Sequence, residues 1–196
     1  MGKKPLAILA AGGTGGHMFP AQALAEELLI RGWGVKLSTD LRGARFANNF
    51  PEAVKVEIIS SATFSKNKLI FKVKAPFLIL RGIFASVRSF SKDKPSIIIG
   101  FGGYPTIPAL TASILMKFPR IIHEQNGVLG IVNQLFSKKA HLVAYGINPK
   151  VIPQNIKFKY VGNPVRKEVL NRAGSPYIPP GNHPMSIFVM GGSQGA

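Results

Sequence analysis

Residues 6–20, LAILAAGGTGGHMFP, constrain what the rest of the 196-residue chain can become. Residues 6–11 form a short apolar run without charge, long enough for one buried strand. Gly12, Gly13, Gly15 and Gly16 follow around Thr14, and His17 closes the loop. Pro20 stands where a helix takes a first-turn proline, and apolar residues then recur at helical spacing as Ala21, Leu24, Ala25, Leu28 and Leu29. The pattern predicts strand, glycine turn and helix, in that order. Such a unit binds anions: glycine lets the backbone approach a ligand, and the first free amides of the helix face it with the positive end of the dipole. A plain turn would need one glycine rather than four.

The loop is not the dinucleotide fingerprint, because the third glycine of that pattern is missing: Met18 stands three positions after Gly15. Asp40 does stand near the end of the next apolar run, where a ribose-binding acid belongs, so a nicotinamide or flavin oxidoreductase remains an alternative. No Gly-Lys-Ser/Thr follows, which excludes the phosphate loop of nucleotide triphosphatases.

Charge narrows the partner. Twenty-five basic residues face eight acidic ones, a formal +17, which calls for nucleic acid, anionic lipid or a phosphorylated substrate. Between Glu57 and Asp93 there is no acid, while Lys66, Lys68, Lys72, Lys74, Arg81, Arg88 and Lys92 alternate with bulky apolar residues. Nucleic-acid surfaces interleave polar residues and exposed aromatics instead, so a basic nucleic-acid-binding module is the alternative and no nucleic acid is expected. Lys66, Lys68, Leu69, Ile70, Phe71, Lys72 and Lys74 read as a membrane-surface patch. Pro76 predicts a break, with a short helix or loop before it and a longer helix after. For residues 77–90 the apolar side chains could equally face a core and the cations water.

Residues 95–116 carry no charge, yet glycines and prolines at SIIIG-FGGYP-TIPAL break the middle, so they are not a membrane span. They read as a second strand–loop–helix unit, with a strand at 96–99, a glycine loop at 100–105 and a helix at 107–116. A strand at 120–123, a polar loop at 124–127, a helix at 129–136 and a strand at 141–145 follow, and strands at 35–39 and 55–59 precede. This alternation gives an α/β fold, a Rossmann-like doubly wound parallel sheet with crossover helices. Ligands of such sheets bind at the carboxyl ends of the strands, where both glycine loops and the 123–126 loop fall. With no cysteine, disulfide and thiol chemistry are excluded. The first apolar run is too short for the core of a signal peptide, and no export signal is expected.

GGTGGHMFPA, GFGGYPT, HEQNGVLG, VGNPVR and GGSQGA, in this order, resemble the MurG family of bacterial peptidoglycan glycosyltransferases along the whole chain. The resemblance implies the amino-terminal half of a two-domain GT-B glycosyltransferase. It implies inverting transfer of N-acetylglucosamine from UDP-N-acetylglucosamine to the MurNAc C4 hydroxyl of undecaprenyl-pyrophosphoryl-MurNAc-pentapeptide. A diacylglycerol-type transferase of the same fold is the near alternative. Residues 1–163 would be the domain for the lipid-linked acceptor, and 164–196 the interdomain crossing and start of the nucleotide-sugar domain. By the same resemblance Thr14, Gly15, Gly16, Asn126, Arg166 and Ser193 serve the donor. Gly13, His17, Gly102, Gly103, Tyr104 and Asn133 serve the acceptor, with His17 and Glu124 as the catalytic pair. The implied location is peripheral, on the cytoplasmic face of the bacterial inner membrane.

The chemistry needs two things. Departure of a nucleoside diphosphate requires stabilised negative charge, which helix amides and Arg166 can provide. The acceptor hydroxyl needs a base. His17 at a helix start is kept neutral by the dipole and can take that proton, or it can act only as a cap ordering the loop. Glu124 is the competing base, or an orienting group. His141 and His183 read as structural or solvated. No Asp-x-Asp pair occurs, so neither a metal nor any other cofactor is expected. The apolar run at 185–190 and the glycine loop at 191–195 would begin a further strand–loop–helix unit, so the chain alone is expected to lack transferase activity.

Overall fold

The computed structural model describes residues 4–60, 69–149 and 151–176, with 179, 181, 182, 184, 187 and 189, and the backbone alone for 69–74. Its elements are β1 (Leu6–Ala10), α1 (Gly15–Ile30), β2 (Gly34–Thr39), β3 (Lys55–Ile58), α2 (Leu69–Asp93) and β4 (Ile97–Gly100). There follow α3 (Ile107–Leu115), β5 (Arg120–Glu124), α4 (Ile131–Ser137), β6 (Leu142–Tyr145), β7 (Phe158–Tyr160) and α5 (Lys167–Leu170). All seven strands are parallel, in the order β3-β2-β1-β4-β5-β6-β7. The order reverses at β1, which pairs β2 on one side and β4 on the other, and this opens a crevice at the carboxyl ends of β1 and β4.

The apolar run of β1 is continuous because helices cover both faces of the sheet. Ala7, Leu9 and Ala11 pack with Met18, Ala21 and Ala25 of α1 on one face. Ile8 and Ala10 pack on the other with Phe90 of α2, Leu110 of α3 and Phe136 of α4. Polar ties lock the edges. Lys36 Nζ of β2 meets Glu57 of β3 at 3.4 Å, Ser89 Oγ at 3.0 Å and the Asp93 carboxylate, the latter two on α2. Buried Arg120 donates to Ser113 Oγ at 3.0 Å and to the carbonyls of Ser113, Phe118 and Lys139, fastening α3 and the end of α4 to β5.

Two helix starts differ from the sequence expectation. α1 begins at Gly15, with Thr14 as its N-cap, so Pro20 lies inside the helix and not in its first turn. The proline removes one bond to the Gly16 carbonyl, and Gly16 is exposed, while the ring itself is buried. Pro76 likewise does not break α2, which runs unbroken for 25 residues. Packing of that long helix against α3 outweighs one absent hydrogen bond. The 95–116 stretch is β4, a glycine turn and α3, and among the described residues no helix is long and apolar enough to cross a membrane.

Residues 77–90 divide between the two readings. Phe90 is buried, but Phe77, Leu80 and Phe84 are 69%, 64% and 71% exposed, three and four positions apart on one face of α2. Residues 161–166 form an irregular crossing held to β6 by Val161 N–H donating to the Tyr145 carbonyl at 2.9 Å. Lys66, Lys68, Ser193, His183 and the 191–195 loop lie outside the described residues, as does most of the 185–190 run.

Candidate functional site

The loops after β1, β4 and β5 meet at the crevice. His17, Gly102, Gly103, Tyr104, Glu124, Asn126 and Asn133 line one pocket of about 210 Å³ there, with Gly130–Val132 closing its side. A wider hollow of about 870 Å³ runs along the last turns of α2, but its Lys36, Glu57 and Asp93 are paired with one another. Convergent polar groups, and not size, mark the smaller pocket as the site.

His17 sits in the first turn of α1. Its Nδ1 lies 3.3 Å from Thr14 Oγ1, which leaves Nε2 toward Gly102. Burial holds its pKa below the ordinary 6.5, opposed by the negative charge of Glu124 and a hydrogen bond to the Gly12 backbone. Burial thus acts in the same direction as the helix dipole invoked from sequence. Gly102 and Gly103 have φ of +96° and +80°. A Cβ on Gly102 would stand 3.1 Å from Asn133 Nδ2 and 3.2 Å from His17 Nε2, so any side chain would fill the space between these groups.

Glu124 ends β5 and is 1% exposed. Its Oε1 accepts from Asn126 N–H and Asn126 Nδ2, both at 3.0 Å. Its Oε2 accepts from Gly130 N–H and Asn133 Nδ2, both at 2.8 Å. The carboxylate thereby orders the whole loop from β5 to α4 and aims two amide side chains. Asn133, 1% exposed, also donates to the His123 carbonyl at 3.2 Å.

Thr14, Gly15 and Gly16 stand at the amino end of α1, beside this pocket. Gly15 is pressed by the Phe19 ring, which leaves 2.7 Å for a Cβ. The Arg166 guanidinium lies 4.1 Å over that same ring, a cation–π contact that brings the crossing back to α1. Gly13, with φ +87°, faces Arg42 instead of the pocket. Asp40 does not present itself as a ribose ligand: its Oδ1 accepts from Gly43 N–H at 2.9 Å and its Oδ2 from Arg42 Nε at 3.2 Å.

Two anchors escaped the sequence reading although the HEQN run contains them. His123, 4% exposed, packs against Phe101 with ring centroids 5.5 Å apart and the rings tilted by 42°, and its Nε2 lies 3.5 Å from the Gly162 carbonyl. The Gln125 side-chain amide donates to the Phe101 carbonyl at 3.2 Å, and the Gln125 backbone carbonyl accepts from Asn163 Nδ2 at 3.1 Å. Together they tie the 161–166 crossing to the pocket's rim.

The chain is 44% identical over 191 residues to the UDP-N-acetylglucosamine–N-acetylmuramyl-(pentapeptide) pyrophosphoryl-undecaprenol N-acetylglucosamine transferase of Chelativorans sp. (strain BNC1), covering 96% of this chain and 51% of that protein. It is 44% identical over 194 residues to the protein of the same name from Caulobacter vibrioides (strain NA1000 / CB15N), covering 97% and 53%. The chain therefore spans about half the length of the curated relatives it matches. The crystal structure of Acinetobacter baumannii MurG superposes with a TM-score of 0.65 at 30% identity, over 80% of this chain and 44% of that one. The calicheamicin glycosyltransferase CalG4 shares the fold alone, with a TM-score of 0.57 at 11% identity over 83% of this chain and 53% of that one. The model of the glycosyltransferase family 28 N-terminal domain matches residues 7–145, the span from β1 to β6 that builds the pocket, and the chain belongs to that family.

Proposed function

We propose that this chain is the acceptor-binding half of an inverting transferase that moves N-acetylglucosamine from UDP-N-acetylglucosamine to the MurNAc C4 hydroxyl of a lipid-linked pyrophosphoryl-MurNAc-pentapeptide. The names of the relatives support the substrates. The observation that carries the mechanism is the pocket in which His17 Nε2 faces Gly102 and Asn133. In the tautomer with the proton on Nδ1, donated toward Thr14 Oγ1, Nε2 carries the ring's lone pair and is the base. The C4 oxygen forms its bond to the anomeric carbon and its proton passes to Nε2. The bond from that carbon to the diphosphate breaks, and the electron pair leaves with UDP. The amides opening α1 and the Arg166 guanidinium stabilise the departing charge. Glu124, with its lone pairs committed to four donors, works by holding Asn126 and Asn133 in place. Ser193 and Asn126 belong to the donor side in this reading, and Tyr104 and Gly103 to the acceptor side.

The same reading places the protein at a membrane surface, on the cytoplasmic face of the inner membrane. The patch expected at residues 66–74 continues beyond Pro76: exposed Phe77, Leu80 and Phe84 line one face of α2, and exposed Arg81 and Arg88 lie on the same helix.

The test is a transfer assay with radiolabelled UDP-N-acetylglucosamine, in a protein of the relatives' full length carrying this chain. His17→Ala should lower turnover by roughly 10²–10⁴ with the donor KM little changed. Turnover near wild type would return His17 to a capping role. Transfer to diacylglycerol in place of the pyrophosphoryl-MurNAc lipid would reassign the acceptor.

A further inference from the structure

Arg42 follows β2 at the same sheet edge as the pocket, but across the first glycine loop from it, since the strand order places β1 between β2 and β4. Its Nε is held by Asp40 Oδ2 at 3.2 Å, and Asp40 is held in turn by the Gly43 amide. The terminal guanidinium nitrogens make no hydrogen bond to protein among the described residues. Nη2 lies 3.7 Å from where a Cβ on Gly13 would stand, so the fork borders the glycine loop at the point where φ is positive and the backbone is bare. A guanidinium fixed through Nε with both outer nitrogens open is set to take phosphate oxygens in pairs.

Next to Arg42 is a hollow of about 490 Å³ lined by Leu41, Ile58, Ile59 and Leu78, with Asp40, Arg42 and Ser60 completing it. Leu41 and Ile58 are 76% and 54% exposed, apolar side chains that the described protein leaves uncovered. Leu78 belongs to α2, next to the face formed by Phe77, Leu80 and Phe84. One cation and one aliphatic hollow, side by side, suit a ligand that is anionic at one end and hydrocarbon at the other. A free nucleotide would satisfy the guanidinium and leave the aliphatic wall unfilled.

We infer that Arg42 binds the diphosphate of the prenyl-linked acceptor and that the hollow beside it receives the first prenyl units. The acceptor then lies across the glycine loop at Gly13, its sugar in the His17 pocket and its hydrocarbon running toward α2. The inference rests on the reading of the acceptor as lipid-linked, but its test uses neither sugar nor donor, so the two fail separately.

The 196-residue chain is titrated by calorimetry with farnesyl diphosphate, farnesyl monophosphate, farnesol and inorganic pyrophosphate, all below micelle-forming concentrations. Farnesyl diphosphate should bind tightest, ahead of monophosphate, with farnesol and pyrophosphate alone far weaker. Arg42→Gln should weaken the diphosphate by about ten-fold or more and leave farnesol unchanged. Arg42→Lys should recover part of the loss, since it keeps the charge without the fork. Leu41→Asn should weaken all three farnesyl compounds alike. A wild-type chain that does not distinguish the four ligands would overturn the inference. So would an Arg42→Gln loss equal for farnesol and diphosphate, which would mean that Arg42 only supports the hollow's wall.

Discussion

Glu124 shows how a buried charge is used when it is not itself reactive. Its two oxygens accept four bonds, from Asn126 twice and from Gly130 and Asn133. Glu124→Gln turns one oxygen into an NH₂ that faces two donors. The chain should lose about 1–3 kcal/mol of stability in urea unfolding. A base would behave oppositely, losing turnover at unchanged stability. His17 and His123 give a second prediction, because burial lowers both pKa values below the ordinary 6.5. As pH falls, the unfolded chain takes up protons before the folded one does. Stability is therefore full above about 6.5 and declines below it, through the lowered folded values. The acid limb of kcat/KM, if His17 is the base, falls in the same low window; a limb above 6.5 would contradict the burial. Of these residues, the glycines, His17, Glu124 and Asn133 were legible because short motifs carry them. Arg42 was not, since one cation among twenty-five has no local signature and gains its meaning from the fold.

At the scale of elements, the alternation of strand and helix was readable because parallel strands buried on both faces are apolar throughout. Helix starts were less readable. Gly15 and Gly16 have poor helix propensity, and they lie within α1 because the strand before and the packing after impose it. β7 escaped notice since its three residues, all exposed, are too few to establish a period. Gly82, midway along α2, illustrates what packing adds. A Cβ there would collide with the Ser60 carbonyl and stand 2.9 Å from Pro108 Cγ. Gly→Ala inside a helix ordinarily stabilises by about 1 kcal/mol. Here Gly82→Ala should instead destabilise by about 1–3 kcal/mol, as overpacking does, in thermal or urea unfolding. A gain in stability would show that α2 can move off the end of β3 without cost.

For the whole molecule, charge and exposed apolar surface give the remaining prediction. Each basic residue near an anionic bilayer contributes about 1 kcal/mol. The chain should bind anionic vesicles and release them as salt rises, and Phe84→Ser with Arg81→Glu should remove much of the binding. Equal binding to neutral vesicles at high salt would make the surface purely hydrophobic. The strand order carries a consequence for biogenesis. β1 is made first yet lies mid-sheet, and Ala7 must wait for Ile97 before its second neighbour exists. At ribosomal speeds of 5–20 residues per second, those ninety residues take roughly 5–18 s. Until β2 is made both edges of this apolar strand are open, and from then until β4 one edge stays open. β1 gains its second neighbour only after β2, β3 and α2 have been made, so its safety depends on the pace of translation and on chaperones near the exit tunnel.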